Sequence, residues 1–417
     1  MIARGGHVAV IGAGIVGLST AIWLQQFGCR VTLVDRKGPG AGASFGNGGV
    51  LADLAVVPVA TPGIWKTAPR MLADPDGPLF LRWRYAPRLL PFLRPYLAAA
   101  RADRVEKTAD ALQILLHDAR QQHQALARLA GAEAFIGAAD YLYVYRDRAA
   151  YDADAYGWDL RRRRGYAVAP LDADGLAAFD PALKGRFGFG VRSRTSGVIR
   201  DPGAYVAALH AHFLAAGGQD ATRAVTGFDS DAGRALRARS QGAPLAADAF
   251  VVTAGAWSGP LAQALGVRVR LESERGYHID FHDPSLSPRA PIMIAASKFV
   301  LTPMAGRLRA AGVVEFGGLD APAARAPFAL LRRQVARHFP DLEYARTTEW
   351  MGHRPATADS VPVIGQSPRL SNVYLGYGHH HVGLTGGPKT GRWIAQMITG
   401  RAPNADLSAF SPSRRPT

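Results

Sequence analysis

The sequence predicts an α/β protein in two parts, a nucleotide-binding unit and a second, mainly antiparallel α+β unit. Three observations carry this. The first fifty residues read strand, glycine turn, helix, strand, acid and a second glycine-rich loop. The far end repeats a strand, a glycine loop and a helix. Between them lie separated strand patterns with only short helices.

The first element is the apolar strand His7 to Ile11, followed by Gly12-Ala13-Gly14-Ile15-Val16-Gly17. A helix-period stretch runs to Phe27 with Leu18, Ala21 and Ile22 on one face, and the strand Arg30 to Val34 ends at Asp35. Asp35 falls about twenty residues after the glycines, the offset of an acid that holds a ribose hydroxyl. Gly12 allows the tight turn, Gly14 lets backbone approach a pyrophosphate, and Gly17 lets helix and strand pack closely. The helix N-terminus then offers amides and partial positive charge to phosphates. This is a Rossmann-like arrangement.

The run from Arg36 through Ala43, Ser44, Asn47, Gly48 and Gly49 cannot continue as a helix. Its amides, with Ser44 and Asn47, suit a second anion-binding nest. A helix start is expected at Asp201-Pro202, with Asp as N-cap and Pro in the first turn. Its helix continues through Tyr205, Leu209 and Phe213 to Gly217-Gly218. Strands are expected at Ala221 to Phe228 and at Ala249 to Thr253, the second ending at the close-approach pair Ala254-Gly255. A strand at Val361 to Gly365 precedes the last unit. That unit is a strand at Val373 to Gly376, a loop from Tyr377 to Gly387, and a helix with Trp393, Ile394, Met397 and Ile398 inward. Gly383, Leu384 and Thr385 lie where its N-terminus would face the pyrimidine edge of an isoalloxazine. Two such units at opposite ends favour FAD over NAD.

The intervening pieces fit a substrate domain. Thr108 to Leu129 carries a helical apolar stripe, and Ala329 to Phe339 is a short helix. Tyr141 to Tyr145, Gly276 to Phe281, Lys298 to Thr302 and Arg307 to Gly312 read as strands of a mostly antiparallel sheet. The expected division is a discontinuous FAD-binding domain of 1–75, 197–258 and 345–417, with 76–196 and 259–344 binding substrate. The tail after Pro403 is polar and expected to be loosely held.

At 417 residues and 48% hydrophobic, the chain buries a large core and divides into domains. No apolar run approaches the roughly 18 residues of a membrane span. Met1 to Arg4 followed by an apolar stretch superficially suggests an export signal. That stretch is the first strand, with no small-residue cleavage pattern after it, so a cytoplasmic protein is expected. The single cysteine, Cys29, excludes an intramolecular disulfide and reads as a small buried side chain. The net charge of +16 comes from arginine in a chain rich in Ala, Gly and Pro, and no nucleic-acid-binding signature accompanies it. Residues 64–104 mix Trp65, Phe80, Trp83, Leu90 and Phe92 with seven arginines. Two readings of this segment stay open: aromatics packed on the substrate domain, or peripheral contact with the inner, anionic face of the cytoplasmic membrane. Arg161 to Arg164 is read as a solvated turn.

The blocks VAVIGAGIVGLSTA with VTLVDR (8–36), ASFGNGG (43–49), DPDGPLFLRWRYAP (74–87), VVTAGAWS (251–258), ERGYH (274–278), EWMGHRPATADSVPVIG (349–365) and GHHHVGLTGGPKTG (378–391) span nearly the whole chain. With them the chain resembles the D-amino-acid oxidase superfamily, and within it the bacterial D-amino-acid dehydrogenases. The resemblance implies non-covalent FAD, oxidation of an amine next to a carboxylate, and a quinone or other carrier as electron acceptor. It implies that the Val225 backbone meets the adenine. Two departures stand out: Asp35 replaces the family's usual Glu, and three consecutive histidines replace a more frequent His-Gly-His.

The chemistry needs neither a metal nor a nucleophile. An α C–H passes its hydride to flavin N5 when the carboxylate is clamped, the amine is neutral and water is excluded. Arg354 is expected to be the clamp, because a guanidinium holds both carboxylate oxygens in one plane and the superfamily places such an arginine there. Tyr277 and His278 alternate across a strand beneath the flavin, with Tyr277 preferred in the pocket. His379 and His381 are expected on one face of the loop as pocket residues, with His380 opposite. No acid or thiol at ligand spacing makes the three a metal site. Lys298 is a further candidate near the ring. The expected substrate is a D-amino acid or a cyclic one such as cis-4-hydroxy-D-proline. A glycine- or sarcosine-type oxidase using oxygen, and a flavin subunit of a membrane electron-transfer complex, remain the alternatives.

Overall fold

The structure is a computed structural model that describes residues 2–414. Met1 and the last three positions of the tail lie outside the described residues.

Two sheets organise the chain. The first has six strands in the order Gln219–Thr222, Arg30–Asp35, His7–Ile11, Ala249–Val252, Val373–Tyr377, Val363–Gln366. All neighbours run parallel except the last pair, which is antiparallel. Its central strands His7–Ile11, Ala249–Val252 and Val373–Tyr377 read as apolar runs because both their faces are covered, as in parallel sheets generally. Helix Ile15–Gln26 is buried almost all round and lies against helix Gly383–Ile398. A Cβ on Gly391 would stand 2.5 Å from the Thr20 nitrogen, so only glycine permits this approach. That close packing brings both helix starts to the same cavity.

The second sheet has nine strands. Arg346–Thr357, Leu271–His282, Arg307–Phe316 and Phe299–Met304 follow one another as antiparallel neighbours. The sheet continues through Ile292–Ile294, Tyr141–Tyr145, Phe189–Ser193 and Ala169–Asp172. Only Ile292–Ile294 with Tyr141–Tyr145, and Leu79–Leu81 with Arg307–Phe316, pair in parallel. Helix Arg325–His338 covers one face, with Phe328, Leu331 and Val335 packed against Tyr277, Ile279 and Leu308.

Several expectations are corrected. The single helix over 108–129 is two, Ala102–Leu116 and Ala119–Ala130. Lys389 Nζ takes the Ile114 carbonyl at 2.6 Å and Asp118 Oδ1 at 2.8 Å, so the carbonyl that would continue the helix is already bonded. The strand expected over 221–228 divides into Gln219–Thr222 and Val225–Asp231. After Arg223 N donates to the Asp35 carbonyl at 2.9 Å, the chain leaves the parallel sheet and pairs with Arg234–Ser240. Strand Arg346–Thr357, placed with the FAD-binding segments by the sequence, is hydrogen-bonded along its length into the second sheet. The Gly-rich loop to Gly387 is helical from Gly383. Arg161 to Arg164 is solvated only in part: Arg162 and Arg163 are exposed, but Arg161 is buried and donates to the Leu54 carbonyl at 3.1 Å, while Arg164 bonds Glu106 and Asp110. The described part of the tail is anchored, with Phe410 buried against Trp393 and Arg414 bonded to Asp359 at 2.8 Å.

Candidate active site

A cavity of about 1970 Å³ runs between the two sheets. Its first half is the nucleotide cradle. Gly12 has φ +109°, and a Cβ there would meet the Thr253 carbonyl at 2.4 Å. A Cβ on Gly17 would stand 1.8 Å from the Gly12 carbonyl. Asp35 receives the Ala13 amide at 2.9 Å through one oxygen and the Lys37 amide at 2.8 Å through the other. The acid therefore shapes the turn as well as facing the cavity. Ile15 N donates to Ser44 Oγ at 3.0 Å, which ties the second glycine loop to the start of the first helix. That helix has no acid in its first turn, so its positive end remains open to an anion. Val16, Arg36, Ala43, Asn47, Gly48, Val225, Ala254, Gly255, Gly383, Leu384 and Thr385 also line the cavity. Arg36 lies 3.5 Å over the Trp257 ring, and Gly49 turns the loop at φ +73°.

The loop 45–49 is fastened to the second sheet. Arg309 donates to the Asn47 carbonyl at 2.7 Å, Thr302 to the Gly48 carbonyl at 2.8 Å, and His278 Nδ1 lies 3.0 Å from the Gly46 carbonyl. Arg309 is itself held by Asp280 at 2.7 and 2.8 Å.

The second half of the cavity is built on one face of strands Leu271–His282 and Arg346–Thr357. Facing pairs His278–Trp350, Gly276–Gly352 and Glu274–Arg354 follow one another along it. The glycine pair leaves a window that the Trp350 ring covers at Gly352 and Arg354 at Gly276. The Arg354 guanidinium lies across it, its Cζ 2.4 Å from where a Gly276 Cβ would stand. Arg354 donates to the carbonyls of Val313 at 2.9 Å and Gly312 at 3.3 Å. No carboxylate lies within ion-pair distance of it among the described residues. Burial pulls its pKa down against the opposing charge of Glu274. Leu89, Phe92, Tyr96 and Phe316 form the apolar wall nearby.

The strand alternates as expected, with Tyr277 and His278 on opposite faces, and Tyr277 is among the residues that line the cavity. His278 shares the Arg354 face and stacks on Trp350 at 5.1 Å, whereas the Tyr277 hydroxyl bonds Glu315 at 2.5 Å and receives the Ala324 amide at 3.2 Å. Burial and the Glu315 carboxylate push that hydroxyl up to about 12, so it stays a committed donor. Burial, with the charge of Arg309 behind it, drops His278 to about 4.

The three histidines separate. His379 spends Nε2 on Thr390 Oγ1 at 2.9 Å, and burial lowers it to about 3, so it supports the last helix rather than meeting substrate. His381 is exposed to the open cavity, and the surrounding protein together with His380 lowers it to about 4. His380, expected opposite, instead faces Glu274 with Nδ1 at 3.6 Å from Oε2. Lys298 is exposed at the cavity edge with φ +53°. No group of three His, Cys, Asp or Glu among the described residues is placed to hold a metal ion.

Sequence reading missed Glu274, His380, Tyr96 and Gly276 as site residues. Alternation from His278 would have placed Gly276 and Glu274 on the same face, but nothing local reveals Arg354 lying across that glycine. The whole arrangement suits FAD: an acid and two glycine loops at one end, an open helix start at each end, and a flat glycine window beside an unpaired guanidinium.

Comparison with known proteins agrees. The family model described as FAD dependent oxidoreductase (DAO) matches residues 7–397. A D-amino-acid oxidase of Bradyrhizobium diazoefficiens is 41% identical over 99% of both chains. A D-amino acid dehydrogenase of Dechloromonas aromatica is 32% identical over 96% of this chain and 99% of its own. Glycine oxidase from Geobacillus kaustophilus has the same fold, with a TM-score of 0.76 over 98% and 99% of the two chains at 19% identity.

Proposed function

This chain belongs to the DAO family of FAD-dependent oxidoreductases, and from that premise we propose that it dehydrogenates the α-amine of a D-amino acid to the imino acid. The observation that carries the reading is Arg354. A half-buried guanidinium with two carbonyl partners and no paired carboxylate leaves charge for an anion to balance, and a substrate carboxylate fits it in plane. Bound FAD supplies the two-electron acceptor. Arg354 fixes the carboxylate, the glycine pair lets its guanidinium lie flat on the sheet, and Leu89, Phe92 and Phe316 exclude water around the side chain. Those apolar walls support an apolar or compact cyclic side chain, with cis-4-hydroxy-D-proline as one candidate. D-handedness is supported by the names of the relatives alone.

The acceptor we propose is a quinone or similar carrier. Trp65 and Leu97 line the cavity and are 64% and 44% exposed, and exposed Trp83 and Leu90 stand among Arg70, Arg84, Arg88 and Arg94. Such a surface supports peripheral contact with an anionic membrane, and no helix among the described residues is long and apolar enough to cross one. The second reading, direct use of oxygen, is favoured by the relative named an oxidase.

The test is anaerobic flavin bleaching by D- and L-amino acids, both proline series, glycine and sarcosine. Rapid bleaching by D-acids alone is expected; bleaching by none, with the flavin spectrum intact, refutes the amino-acid reading. Turnover in air with stoichiometric peroxide and no added carrier would replace the dehydrogenase with the oxidase.

A further inference from the structure

Resting on the amino-acid reading above, the geometry points to a built amine subsite: Glu274 receives the substrate's α-amine beside Arg354, and the Glu274–His380 pair takes the proton the amine must lose. Glu274 stands directly across from Arg354 in the antiparallel pairing, where opposed side chains start about 5 Å apart. A carboxylate held on Arg354 therefore delivers its α-amine to Glu274. The Glu274 side chain is buried at the cavity wall, and His380 is the basic group within 4 Å of it among the described residues.

The pair is built to hold one proton. His380 Nε2 lies 2.9 Å from the Thr357 carbonyl, which can only accept, so Nε2 carries a hydrogen. Nδ1 is buried and without a hydrogen-bond partner, and it faces a carboxylate at 3.6 Å. With the ring neutral two acceptors confront each other, and one proton between them satisfies both. The charges hold that proton more firmly than a free imidazole would. Burial alone would lower His380, but Glu274 outweighs it and raises the imidazole; burial alone would raise Glu274, but His380 and Arg354 hold it down. The other groups facing the pair are His381, Asp359, which also raises His380, Tyr96 from helix Ala86–Ala99, and Glu272 two residues along the strand. His380 keeps its place with φ +50°, a conformation few side chains adopt.

In the proposed step one N–H bond of the α-ammonium breaks and its proton passes by way of Glu274 to His380 Nδ1. The freed lone pair on nitrogen forms the C=N bond as the α-hydrogen leaves with its electron pair to oxidised FAD. The substrate is oxidised by two electrons to the iminium acid, and FAD is reduced by the same two.

Binding to the holoenzyme tests this with two ligands that cannot react. 2-Aminoisobutyrate has the carboxylate and the amine but no α-hydrogen, and isobutyrate lacks the amine; each is followed by its perturbation of the flavin spectrum. Glu274→Gln should weaken 2-aminoisobutyrate by about tenfold while isobutyrate binds as well or better. Equal loss of both ligands, or loss of neither, overturns the subsite. If the unaltered enzyme binds neither, the amino-acid reading itself fails and the subsite with it. His380→Asn keeps a residue that tolerates the left-handed backbone, and the retained flavin spectrum reports folding. Flavin reduction in the unaltered enzyme should fall on the acid side as the pair gains its proton, and His380→Asn should lose or move that limb. An unmoved limb removes His380 from the proton path.

Discussion

Arg354 is the residue on which most rests. Arg354→Met should keep FAD and lose kcat/KM for amino acids by roughly 10²- to 10³-fold, as expected for removing one partner of a buried charged pair. Unchanged reduction kinetics would take it out of the site. Gly276→Ala is the subtler change. Its Cβ would fall 2.4 Å from the Arg354 Cζ, so the guanidinium must move from the window. KM should rise about tenfold or more with FAD retained, and a KM within twofold of the original would show that Arg354 does not act from this position. In a chain this rich in arginine, Arg354 was singled out by its motif context, Gly352-His353-Arg354-Pro355, alone. What the Tyr277 hydroxyl bonds was not legible: alternation says that neighbours face opposite ways, but Glu315 and helix Arg325–His338, which take this side chain, are far away in sequence.

At the scale of elements, the first strand–turn–helix unit was readable in detail because its geometry is local. Gly17 shows why. A methyl there would overlap the Gly12 carbonyl and reach Thr253 Oγ1 at 2.8 Å. Gly17→Ala should cost about 1–3 kcal/mol and empty the protein of FAD, measurable as flavin content and denaturant midpoint. A full flavin complement would show that the turn can shift without loss. The elements that were misread broke for non-local reasons. The 102–130 stretch keeps its apolar stripe through the break, since the interruption comes from Lys389 on the last helix. The strand ending at Thr222 stops because the sheet beside it stops at Asp35, and periodicity does not report a neighbour's length.

Over the whole molecule, the two sheets are joined at the cofactor loop through Asp280 and Arg309. Asp280→Asn leaves the largely buried Arg309 without its counter-charge and should cost about 3 kcal/mol. Loop 45–49 hangs from Arg309, so FAD affinity should fall with stability; wild-type flavin retention in the variant would separate the two. The buried histidines set the pH response. Burial lowers His123, His278 and His353 to about 4 and His379 to about 3. Below their unfolded value of 6.5 the unfolded chain binds protons that the folded chain refuses, so stability is full at neutral pH and falls as pH drops from 6.5 toward 4. The denaturant midpoint should therefore be lower at pH 5 than at pH 7, and equal midpoints would mean these rings are not held neutral. Asp280 adds to the acid side: although burial acts to raise it, Arg309 holds it below its ordinary value, and its contribution is lost at lower pH still.

By itself the sequence determined the α/β class, the nucleotide turn with Asp35, the second glycine loop and the FAD cofactor. Each of these depends on a few residues close together, where glycine sterics, helix ends and strand alternation leave little freedom. Only the tertiary structure decided that His380 rather than His379 faces Glu274, that the Tyr277 hydroxyl bonds Glu315, that the strand carrying Arg354 joins the second sheet, and that 114–118 breaks its helix. Those outcomes depend on which distant carbonyl, carboxylate or lysine arrives beside a side chain, and pairing across hundreds of residues leaves no local trace.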